Sequence, residues 1–177
     1  MPDKKQGECK MIRKFIIGVV IVLLLFILPC NIMYDIDFDN ALETYYNQRK
    51  QLIQEKLTKL NIENENLAQV INSVVNDDNY IDITIAIGYK ESKLVETAVS
   101  PCGRDMGAWQ MNKKWHKYDK NKILTYEYAC KKFIEHYNHL ETIYDNQDTV
   151  IRRYNGSGKR TYEYLRDVNR ILNVIRS

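Results

Sequence analysis

One carboxylate in this chain stands where it could do acid chemistry. Glu91 follows the strongly apolar run of residues 81–87 and opens the segment Glu91-Ser92-Lys93-Leu94-Val95-Glu96. Ser100 lies nine positions on, and a Gly-containing turn with amide side chains comes next, Asp105-Met106-Gly107-Ala108-Trp109-Gln110-Met111-Asn112. A general acid must hold its proton near neutral pH, and apolar surroundings favour that by penalising the charged carboxylate. Glu91 is therefore the expected proton donor, in the arrangement that cleavage of a sugar linkage requires.

The Glu91-Ser92 pair, Ser100, the Gly107-x-x-Gln110 segment and a later Tyr154-Asn155-Gly156 resemble the lysozyme-like lytic transglycosylases (SLT domain). The form Asp-x-Gly-x-x-Gln-x-Asn at residues 105–112 is most similar to the specialised group that accompanies secretion and conjugation machines. The resemblance covers roughly residues 62–168, and its motifs are specific in combination though weak singly. It implies a mainly α, lysozyme-like domain with minimal β, and peptidoglycan glycan strands as substrate. It also implies that Glu91 acts first as acid on the leaving oxygen and then as base on the sugar's C6 hydroxyl, leaving an anhydro-muramyl end. By the same resemblance Ser100, Gln110, Asn112, Tyr154 and Asn155 bind substrate.

Two departures qualify these roles. The spacing from Ser100 to Gln110 is one residue longer than in the soluble transglycosylases, and their Gly-Leu-Met-Gln becomes Gly107-Ala108-Trp109-Gln110, with Trp109 read as core. Asp105, with Trp115 beyond it, is also similar to the segment that holds the second carboxylate of animal-type lysozymes. A carboxylate about 5 Å from Glu91 would suit a retaining hydrolase, and a longer separation an inverting one. Asp105 is thus a candidate second carboxylate, and a hydrolytic muramidase is the enzyme alternative. A non-catalytic glycan-binding assembly subunit is the alternative outside enzymes.

These residues need elements to hold them. The run Ile81-Asp82-Ile83-Thr84-Ile85-Ala86-Ile87 alternates and is β-branched, which locally argues for a strand. The resemblance places the catalytic carboxylate on a buried helix, and a buried helix is apolar all round; a helix is expected, with Asp82 placed to cap it. Leu67, Val70, Ile71, Val74 and Val75 form a helical stripe behind a candidate N-cap, Asn64. An earlier amphipathic stretch, with Leu42, Tyr45, Ile53 and Leu57 in helical register, reads as a juxtamembrane spacer over residues 35–62. Residues 100–105 carry Pro and Gly turn chemistry and are expected to open a hairpin lining a cleft. Residues 123–144 return apolar side chains at helical steps. Helices over residues 149–154 and 162–175 follow, separated by Asn155-Gly156-Ser157-Gly158.

Charge and cysteine content bound the rest. The chain has 177 residues, 28% of them charged, and a net charge of +3, which leaves no broad basic face for nucleic acid. Five Lys/Arg in residues 1–14 precede a stretch without a charge over residues 15–34. At about 1.5 Å per residue this stretch spans about 30 Å, and the order of charges is positive-inside. One retained transmembrane helix is expected at 15–34 after a cytoplasmic tail at 1–14, with residues 63–177 as an extracytoplasmic catalytic domain on the cell membrane. A cleaved signal peptide is the alternative. Cys102 and Cys130 are readable as a disulfide or as two free thiols. His136 and His139, three apart, have no third ligand in register and read as an exposed helix face, so no metal or cofactor is expected.

Overall fold

The computed structural model describes residues 38–177. The expected tail and membrane-crossing segment lie outside the described residues; among those described, no helix is long and apolar enough to cross a membrane. The architecture is mainly helical: α1 (Phe38–Thr58), α2 (Glu65–Val74), α3 (Asn79–Ser92), a two-stranded hairpin of β1 (Asp105–Met106) and β2 (Met111–Asn112), a 3-10 turn (Lys122–Leu124), α4 (Tyr126–Glu141), α5 (Gln147–Tyr154) and α6 (Arg160–Arg176).

The N-terminal boundary differs from the one expected. Residues 43–177 form one compact unit, because Ile53 and Leu57 on α1 are fully buried in the same core as α3 and α4. Arg49 explains how α1 is fastened. Its guanidinium donates to Asn72 O at 2.6 Å and to Val75 O, carbonyls at the open end of α2, and its Nε reaches Asp78 at 2.5 Å. A helix end leaves its last carbonyls unpaired, so a buried guanidinium there meets acceptors that water would otherwise have to serve. At the other end of α2, Asn64 caps as expected, its Oδ1 accepting from Leu67 N at 2.9 Å.

The alternating run resolves as helix. Ile81, Ile83, Thr84, Ile85, Ala86, Ile87 and Gly88 are all buried on α3, which packs against both α4 and α6. With neighbours around it, the helix offers apolar contacts to odd and even positions alike, and tertiary burial overrides β-branched propensity. Asp82 is no cap. It lies in the first turn, where Lys56 at 2.9 Å and Arg176 at 2.8 Å tie α1, α3 and α6 together. Burial works against its charge, but these two cations outweigh it and hold the carboxyl below its usual range. Cys130 is buried in the core and Cys102 exposed, and both are free thiols; the disulfide reading is set aside.

Candidate active site

Glu91 occupies the last turn of α3, and the chain then bends sharply. Lys93 (φ 61°) and Leu94 (φ 58°) are consecutive left-handed residues, and their amides close the helix on Tyr89 O and Gly88 O. A buried leucine in this conformation is unusual, and such backbone persists where surrounding contacts over-determine it. Here the Tyr126 hydroxyl donates to Leu94 O at 2.9 Å, while Glu96 accepts from Tyr126 N at 2.8 Å. Glu96 is thus a brace at the start of α4.

The hairpin is pinned against this corner. Ser92 Oγ donates to Ala108 O at 2.7 Å, and the Trp109 indole passes beneath α3 to donate to Thr84 O at 2.9 Å while stacking on Phe133 at 5.8 Å. Trp109 is fully buried, as expected for core. The fit depends on Gly88: a Cβ there would overlap the Leu94 side chain and sit 2.7 Å from the indole nitrogen. Gly107 (φ +77°) makes the turn possible, with no room for a Cβ against the Ile123 carbonyl.

Six of the seven expected site residues, Glu91, Asp105, Gln110, Asn112, Tyr154 and Asn155, line one cleft of about 240 Å³. Ser100 does not line it. Its Oγ instead accepts from Asp105 N at 3.0 Å and its amide donates to Asp105 O, so it braces the strand that carries Asp105. Gln110, at φ 48°, turns its amide nitrogen back onto Ala98 O and Gly107 O. Asn112 donates to Asp105 Oδ1 at 2.6 Å and orients that carboxylate. Tyr154 closes the far wall, its hydroxyl donating to Trp109 O at 2.7 Å.

Glu91 is pushed up from 4.5 to about 7, first by burial and further by the Asp105 charge; the hydrogen bond from Tyr164 and the charge of Lys90 work the other way. Tyr164 Oη lies 2.6 Å from Glu91 Oε1. Its own ionisation is pushed well up by burial and by Glu91, so it remains a donor. Tyr164 sits on α6, 73 residues from Glu91, a distance over which no sequence spacing could pair them. Lys90 is engaged elsewhere, at 2.6 Å from Asp167.

Of the two histidines expected on an exposed face, His139 is exposed and His136 is not. His136 is half-buried and meets His116 edge to face at 4.3 Å between ring centres. Both line the cleft. Burial depresses both, and for His136, helped by His116 and His139, the value falls to about 4, so the pair is neutral near pH 7. Nothing in the i, i+3 spacing pointed to this, because the partner ring comes from the polar stretch after β2. Among the described residues no group of three His, Cys, Asp or Glu could hold a metal ion.

The arrangement can protonate an oxygen placed in the cleft and, once deprotonated, recover a proton from a nearby hydroxyl. Compared with known proteins, the chain matches no family model, no curated protein and no solved structure.

Proposed function

We propose that this chain is a membrane-anchored peptidoglycan lytic transglycosylase with a lysozyme-like domain, facing the wall. The observation that carries the reading is a cleft-lining carboxyl with its pKa near 7, held at 2.6 Å by a buried tyrosine. A group half-protonated at neutral pH serves as acid and as base in turn. Glu91 gives its proton to the glycosidic oxygen as the C1–O bond breaks, and the substrate's own N-acetyl oxygen supports the cation. The Glu91 carboxylate then takes the C6 hydroxyl proton while O6 bonds to C1, and the product is an anhydro-muramyl end. A task in local wall opening for a secretion, conjugation or phage apparatus follows by analogy alone.

Asp105 in the same cleft favours one rival, a muramidase that uses water. Product analysis of digested wall separates the two: anhydro ends are expected, and new reducing ends would identify a hydrolase. Glu91→Gln is expected to lower cleavage by about a thousandfold. Lysis that survives this change removes Glu91 as the acid, whereas a wild-type chain that binds wall and never cuts it leaves a glycan-binding subunit.

A further inference from the structure

The catalytic cleft continues into a second groove of about 410 Å³, and Met111, Trp115, His116 and His136 line both. The charges on the two sides of this saddle are opposite in kind. The first cleft is lined by Glu91 and Asp105 and by no lysine or arginine. The second is lined by Lys117, Lys132, Glu135 and His139. Lys132 and Glu135 neutralise each other across 2.6 Å, while Lys117 is exposed and has no ion pair among the described residues. One uncompensated positive charge therefore faces the second groove.

A wall strand presents a neutral glycan and, on its muramyl sugars, peptide stems ending in carboxylates. An acid-lined cleft repels those carboxylates; an adjoining groove with a free ammonium accepts them. Resting on the glycan-cleaving reading above, we propose that the second groove binds the carboxylate-bearing peptide stem of the strand whose glycan lies in the first. The neutral His116–His136 pair forms the saddle, and beside it the Lys114 ammonium lies 4.6 Å over the Trp115 ring, so no negative charge stands at the crossing to repel a stem carboxylate. Trp115, 72% exposed, stands beside the crossing point and offers an apolar face to either part of the strand.

The test compares binding of the full-length chain, in neutral detergent, to two preparations of wall strands freed of phosphate-bearing polymers. One retains its peptide stems and the other has been stripped of them by an amidase. The stem-bearing strands are expected to bind about fivefold tighter, the scale of an exposed charge pair. Lys117→Glu should abolish that preference and leave affinity for stripped strands unchanged; since Lys117 is exposed and unpaired, its replacement leaves the fold intact. Equal affinity for the two preparations, failure to bind either, or a preference retained in Lys117→Glu overturns the proposal. The cleavage reading is judged separately by the end-group assay: preferential binding without any cutting keeps the groove and loses the enzyme.

Discussion

At the scale of single residues, the balance around Glu91 has consequences for pH. Its carboxyl is raised to about 7 from an ordinary 4.5, so between those values the folded chain binds more protons than the unfolded one. Stability then falls as pH rises through this window and levels off above it. Converted in full, such a shift would exceed 3 kcal/mol, but the cleft admits water, and about 2 kcal/mol is the expected cost of the charged form. Glu91→Gln should remove that slope and be more stable than wild type above pH 7, as urea unfolding at pH 5 and pH 8 would reveal. If the two proteins lose stability in parallel, Glu91 is not the strained group. Cleavage by wild type should decline above about pH 7, where the acid loses its proton. Tyr164→Phe removes a donor that favours the charged carboxylate, so the declining limb moves to higher pH while the rate at pH 6 drops about tenfold from lost orientation. A pH–rate profile distinguishes this from mere unfolding, which would lower the rate without moving the limb.

At the scale of elements, the site is a joint between the end of α3 and the hairpin, and Gly88 sets how closely they meet. Gly88→Ala improves helix propensity by about 1 kcal/mol, yet its methyl would overlap Leu94 and press on an indole that cannot swing away. Overpacking is expected to prevail, with a net loss of about 1 to 3 kcal/mol in thermal or urea unfolding. Cleavage should fall as well, because Ala108 and Trp109 hold the hairpin against the Glu91 turn. Much of this joint was legible in the residues: Glu91, the Gly107 turn, Trp109 as core and the Asn64 cap could all be read locally. What could not be read was whatever depended on a partner far along the chain. Residues 81–87 alternate like a strand, so the helix is expected from the resemblance and not from the local pattern; the packing of α4 and α6 around them makes it the better burial. Tyr164 and His116 carry no local signal, and Ser100 carried a misleading one, since its hydroxyl is spent on the backbone of Asp105.

At the scale of the whole molecule, α1 decides where the domain begins. The amphipathic pattern of residues 35–62 is that of a spacer, but spacer and core helix share the same periodicity, and only burial tells them apart. Ile53 and Leu57 are fully buried and Leu60 nearly so, and Arg49 meets the carbonyl end of α2. Each such aliphatic side chain is worth about 2 to 5 kcal/mol when truncated, and removing one partner of a buried charged network costs about 3 kcal/mol or more. Together these match the whole stability of an ordinary domain, about 5 to 15 kcal/mol. A chain starting at residue 43 should therefore fold and unfold cooperatively, because it keeps the entire compact unit. A chain starting at residue 63, where sequence periodicity would place the boundary, should lack a cooperative transition and expose the apolar faces of α2 and α3. Circular dichroism melts of the two truncations check this directly. If the shorter chain melts as sharply and as high as the longer one, α1 is a spacer after all, and Arg49 closes off α2 without supporting the fold that carries Glu91.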